Sequence, residues 1–327
     1  MQNAIVITSP GTATISPTLL RAHEYAHAAK AHNTQRAYAT HWREFETFAA
    51  ARGYAPCPAP IAAIVEFVTD LAERGKRVAT IDQKLAAIAF KHRAANVPSP
   101  TQTQIVREVM AGIRRTHGVA SQQKAPVTRG ELVKMIAATP QTLRGARDRA
   151  ILLVGFAGAF RRSEIAGLDV EDVRFLDDEM IIVLRRSKTD QEGRGASKRL
   201  PALVNPALCP VRALRAWLDA AQIESGALFR PLDRWEHVRG GRLDDRVIAL
   251  AVKEAAKRAG LEPRQFAGHS LRAGFVTQAA QDETPAYEIK AVTGHKSDAM
   301  VSRYIRDAGR GQVRAIRRAF GEYQNED

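Results

Sequence analysis

Apolar residues recur every three or four positions along most of this chain. The runs are separated by Pro- and Gly-containing breaks, the pattern of short amphipathic helices. Residues 1–17 are rich in Thr, Ser, Gly and Pro without a period and read as a flexible arm; the helical pattern sets in after Ser16-Pro17. From Asn33 to Gly53, with Asn33 or Thr34 as N-cap, Tyr38, Trp42, Phe45 and Phe48 follow at helical spacing, so one face is aromatic and packs inward. Ile61 to Arg74 repeats the signal through Ile64, Phe67, Val68 and Leu71, and Thr80 to Ala94 does so through Ile81, Leu85, Ile88 and Phe90. A further helix, Thr103 to Thr116, carries Ile105, Val106, Val109, Met110 and Ile113. Together these segments predict an all-α domain over residues 18–117.

Residues 118–126, GVASQQKAP, are small and polar and predict an interdomain linker. Beyond it Thr128 caps a helix starting near Arg129, and Thr142 to Leu168 predicts mostly one helix around the uncharged stretch Ala150 to Phe160. Met180 to Leu184 and Lys198 to Leu203 predict two strands of a hairpin with a long Gly-containing loop. Helical patterns resume at Val211 to Ala221, Asp244 to Ala259 and Ser270 to Gln281, with a last amphipathic piece from Gln312 to Phe320. The expected fold class is mainly α, with a second domain, 127–327, that is mostly helical around a small β-hairpin.

Composition narrows the function. The 327 residues suit two domains, and 45% hydrophobic with 26% charged residues excludes wholesale disorder. No apolar run is long enough for a membrane helix, and the N-terminus lacks the basic and apolar regions of a secretory signal, so a cytoplasmic protein without a membrane partner is expected. Cys57 and Cys209, the only cysteines, exclude a disulfide framework and a cysteine zinc site. The formal charge is +14, shared equally: residues 1–126 hold 15 basic and 8 acidic residues, residues 127–327 hold 34 and 27. A basic excess on both domains suits a polyanion gripped by both, although charge for solubility would give the same totals.

Five short pieces of the second domain carry candidate chemistry. Arg161 and Glu164 are three apart, a spacing at which a carboxylate orients a guanidinium toward a phosphate, or simply forms a surface ion pair. His269 and Arg272 form an HxxR pair on one face of a helix opened by Gly268-His269-Ser270. Lys188 lies in the hairpin loop, Thr293-Gly294-His295 forms a loop into a helix, and Tyr304 follows nine residues after His295. Each piece alone has an ordinary structural reading.

In this order and at these separations the set resembles the catalytic residues of the tyrosine recombinases, the phage integrase family, with closest likeness to Cre-like site-specific recombinases. The likeness covers most of the chain: the first domain resembles the family's core-binding domain, including the closing Val109-Met110-Ala111-Gly112-Ile113-Arg114-Arg115, and Ser302-Arg303-Tyr304-Ile305-Arg306-Asp307 resembles the segment around the nucleophile. Arg162 stands where an apolar residue is usual, and the R-x-x-E spacing selects Arg161 over it. Lys198 rivals Lys188, but Arg186-Ser187-Lys188-Thr189 matches the family pattern at Lys188.

The resemblance implies that Arg161, Arg272 and His295 stabilise the phosphate, Tyr304 attacks it, His269 takes the phenol proton, Lys188 protonates the leaving oxygen and Glu164 orients. It implies no cofactor and no metal. The partner it implies is double-stranded DNA with an inverted-repeat target site. Arg36, His41 and Arg43 on the first long helix, and Lys76, Arg77, Gln83, Lys84 and Lys91 around the Thr80 helix, are candidate DNA contacts. A homo-tetramer on DNA built by exchange of the C-terminal helix at 312–321 is implied, and accessory proteins are compatible with it. With so short an N-terminal arm, no extra DNA-binding domain is expected. A type IB topoisomerase and a non-cleaving DNA-binding regulator are the rival readings.

Overall fold

The computed structural model describes residues 32–118, 124–185 and 195–294, together with Thr18, Arg21 and Tyr25. The chain divides into two compact units, 1–122 and 123–327.

Among the described residues the first unit contains α1 (His32–Ala51), α2 (Ile61–Glu73), α3 (Val78–Ala94) and α4 (Gln104–His117). Their apolar stripes meet in a core of Trp42, Phe45, Phe48, Ile64, Phe67, Leu71, Ile81 and Ile88. Phe67 takes the edges of Phe45 and Phe48, with ring centres 5.2 and 4.9 Å away. Each buried aromatic or aliphatic side chain contributes about 1.5–3 kcal/mol. His92 is buried inside this core; its Nε2 accepts from the Ala59 N–H at 3.0 Å while Nδ1 donates to the Ile88 carbonyl at 2.9 Å. That pairing fixes the neutral Nδ1–H tautomer and ties α3 to the loop leading into α2.

In the second unit, Thr128 and Glu131 form a reciprocal capping box that starts α5 (Arg129–Ala137). Residues 124–126, the end of the expected linker, already belong here with Val127: Ala125 N–H donates to the Gln265 carbonyl and Val127 N–H to the Ser270 carbonyl. Gly274 permits that approach, since a Cβ there would stand 2.0 Å from the Val127 carbonyl oxygen. The long helix expected over Thr142 to Leu168 is broken into α6 (Leu143–Ala157) and α7 (Arg162–Gly167). Gly158 ends α6, Ala159 adopts a left-handed φ of 46°, and the Phe160 ring folds back so closely that a Cβ on Gly158 would meet it at 2.1 Å. Ala159 is strained there, and the turn persists because the surrounding packing holds it.

Three antiparallel strands follow: β1 (Val173–Phe175), β2 (Glu179–Leu184) and β3 (Ala196–Pro201), in the order β1-β2-β3. The sequence pattern predicts only the last two. In the β2–β3 register Ile182 faces Lys198 and Met180 faces Leu200, and all four point to the buried side. Among the described residues α8 (Pro210–Ala221), α9 (Asp245–Arg258), α10 (Ser270–Gln281) and α11 (Ala286–Thr293) follow. Ile151, Leu152, Val154, Phe160, Trp217, Phe229, Val252 and Leu271 fill the core in which α6 packs on α8, α9 and α10. Thr293 therefore ends a helix rather than lying in a loop, and Gly294 follows it in the left-handed conformation. Among the described residues no helix is long and apolar enough to cross a membrane. The arm at 1–17, Lys188, His295, Tyr304 and the segment 312–321 lie outside the described residues.

Candidate active site

The break between α6 and α7 carries the candidate site. Arg161 is the residue before α7, and Glu164 sits in that helix's first turn. The Glu164 carboxylate accepts from the Arg161 backbone N–H at 2.8 Å and from its guanidinium at 2.5 Å, with the carboxylate buried and the guanidinium only partly so. A buried carboxylate thus aims a partly exposed cation. Arg162 turns away and pairs with Asp245 at 3.0 Å on the surface, so the two neighbouring arginines occupy different settings.

Arg272 reaches the same turn from α10. It is 1% exposed, and its Nη1 donates to the Ala159 carbonyl at 2.8 Å. His269 immediately precedes α10 and is exposed, one turn from Arg272. Lys198, on β3, completes the cluster. Its ammonium donates to the Gly158 carbonyl and, at 2.6 Å, to the Val292 carbonyl, and lies 4.6 Å from the centre of the Phe160 ring. Burial lowers its pKa to about 8; Arg272 and Arg161 push the same way, and Glu164 opposes them. Three cations therefore gather about one carboxylate, a field suited to an anionic group.

Of the expected site residues, Arg161, Glu164 and Arg272 come together at the 158–161 turn, with His269 at the head of the helix that supplies Arg272. Lys188, His295 and Tyr304 fall outside the described residues. Among the described residues no group of three or more His, Cys, Asp or Glu could hold a metal ion.

On the first unit, Arg36, Arg43, Lys76, Arg77 and Gln83 are exposed. Lys91 is half-buried, its ammonium 5.8 Å from the Trp42 ring centre. Lys84 departs from expectation: it is 4% exposed and its ammonium pairs with Glu44 of α1, so it is withdrawn from the exposed basic set. His41 is half-buried beside this pair, its pKa lowered by burial and then by Lys84.

Residues 126–310 match the model of the phage integrase family. An integrase/recombinase XerD homolog of Selenomonas ruminantium is 38% identical over 308 residues, covering 93% of this chain and 90% of that one. A tyrosine recombinase of Synechococcus elongatus is 31% identical over 229 residues, covering 68% and 65%. The fold is shared with the Tn1549 transposon integrase in complex with transposon right end DNA, at a TM-score of 0.59, 17% identity and coverage of 90% of this chain and 98% of that one. A lambda integrase dimer bound to a COC′ core site shares it at 0.56 and 18%, covering 89% and 77%. The chain belongs to the phage integrase family, the tyrosine recombinases. These relatives carry integrase and recombinase names, while the likeness to Cre-like recombinases rests on the sequence motifs alone.

Proposed function

We propose that this chain recombines duplex DNA at specific sites through a covalent 3′-phosphotyrosyl intermediate, with strand exchange by way of a Holliday junction. The observation that carries the reading is the convergence of Arg161, Glu164 and Arg272 on one turn of a chain in this family. Two guanidiniums suit the non-bridging oxygens of a phosphodiester, on which negative charge grows as it is attacked. The Tyr304 oxygen bonds to phosphorus and the bond to the 5′-oxygen breaks. The phenol, of ordinary pKa about 10, yields its proton to His269, and Lys188 supplies one to the departing oxygen. His295 donates a further hydrogen bond to the phosphate. The bond energy is retained in the phosphotyrosine, so rejoining is the same step reversed with a new 5′-hydroxyl, and no cofactor enters the balance.

Arg36, Arg43, Lys76, Arg77, Gln83 and Lys91, with His41 beside them, are the DNA contacts of the first unit in this reading. Lys84 is left out because Glu44 occupies it. The target carries inverted repeats, and four copies assemble on paired sites by exchanging the segment at 312–321, with or without accessory proteins.

The test incubates the full chain with nicked duplex fragments from either side of its own gene, looking for SDS-resistant protein–DNA adducts while binding is followed by gel shift. Adducts together with exchanged strands support the recombinase. Specific binding without adducts on any nicked fragment would favour a non-cleaving regulator, and relaxation of supercoils without site preference would favour a topoisomerase.

A further inference from the structure

β3 alternates so that Lys198 and Leu200 share its inner face, where Lys198 lies opposite Ile182 and is 9% exposed. An apolar residue would suit that place better than an ammonium, which must leave water. What it meets are the carbonyls that two helices leave unpaired at their C-terminal ends: Gly158, which closes α6, and Val292, in the last turn of α11. Cations are favoured at such ends by the helix dipole and by the carbonyls themselves.

Both segments lead directly to site residues. Gly158 is followed by Ala159, whose carbonyl holds Arg272, and by Arg161. Val292 precedes His295 by three positions. We propose that Lys198 is a positioning residue that pins the 158–161 turn to the C-terminal end of α11, and so fixes the place of Arg161 and Arg272 relative to that end. This rests on the recombinase reading of those residues. Its ammonium is spent on two backbone carbonyls, which separates it from a proton donor held open to the leaving oxygen.

The experiment uses the full chain and a nicked fragment that yields an adduct, prepared with either an ordinary 5′-oxygen or a 5′-bridging sulfur as leaving group. A thiolate leaves without a proton, so sulfur restores a variant lacking the general acid and does nothing for a displaced phosphate clamp. Lys198→Met is expected to bind the fragment as the unaltered chain does. Its adduct should form ~10- to 100-fold more slowly with both leaving groups, the scale of loss for a site displaced by about an ångström. Lys188→Ala, run in parallel, should be slow with oxygen and restored by sulfur. Lys198→Gln, which keeps two N–H donors, should recover part of the rate; should the Met variant not fold, as judged by its thermal transition, the Gln variant with the two leaving groups makes the decision. Restoration of a slow Lys198 variant by sulfur would make Lys198 the acid and overturn the proposal, as would unchanged rates in the Met variant. An unaltered chain that forms no adduct on any fragment contradicts the recombinase reading itself, and the pin falls with it.

Discussion

Among the described residues two lysines are buried, one in each unit, and their partners differ. Lys84 of α3 has a carboxylate of its own, Glu44, on the neighbouring helix. Lys198 has the carbonyls of Gly158 and Val292, while Glu164, the carboxylate that favours its charge, is engaged by Arg161 and two arginines add to the local positive charge. The first arrangement neutralises a cation and joins two helices. The second gathers positive charge at the candidate site and accepts the cost of burial, as functional sites often do.

Removing a member of the positive cluster should have the largest effect. Arg272→Ala should slow adduct formation by about 100- to 1000-fold, the loss typical of one transition-state donor, with fragment binding in gel shifts little changed.

Next comes the pH dependence of stability. The pKa of Lys198, lowered to about 8 in the folded chain, lies below its ordinary value of 10.5, so between those values the unfolded state binds more protons and stability rises with pH. In urea unfolding, the unaltered chain should therefore gain on Lys198→Met by up to about 3 kcal/mol from pH 8 to 10.5, at about 1.4 kcal/mol per unit. Near pH 7 Lys198→Met should lose no more than about 3 kcal/mol, because the relief of burial offsets part of two lost hydrogen bonds of roughly 1.5–3 kcal/mol each. A curve parallel to that of the unaltered chain would remove the contrast between the two lysines.

Glu44→Ala should destabilise by about 1–3 kcal/mol by leaving the Lys84 ammonium buried and unpaired, less than for a fully enclosed pair because Glu44 is itself partly exposed. The smallest effect belongs to Arg162→Ala. It breaks a surface pair with Asp245 and should change stability by less than about 1 kcal/mol, with adduct formation unaltered, whereas Arg161→Ala, one residue away, should behave like Arg272→Ala.

Much of the fold and site is legible along the chain. The spacing of Tyr38, Trp42, Phe45 and Phe48 locates α1, and the motifs Arg161-x-x-Glu164 and His269-x-x-Arg272 contain the three residues, Arg161, Glu164 and Arg272, that meet at one turn. Lys84 is buried rather than exposed as expected, although the signal is present: Ile81, Lys84 and Ile88 are three and four apart and so lie on one helix stripe. Lys198 shares the parity of Leu200, which already points it inward. The break at Gly158-Ala159 is hidden because no proline marks it. It depends on Phe160 folding back and on Arg272, 113 residues away, holding the Ala159 carbonyl. β1, three residues long, and α11, eight, are too short for a period to show.

In the proposed mechanism every other residue serves the bond that Tyr304 makes to phosphorus. The direct test digests the SDS-resistant adduct with protease and nuclease and locates the residue carrying the nucleotide by mass spectrometry, with Tyr304→Phe in parallel. The predicted result is a nucleotide on Tyr304, joined through its 3′-phosphate, and no adduct from the Phe variant. An adduct that persists in Tyr304→Phe, or a nucleotide found on another residue, would contradict the mechanism.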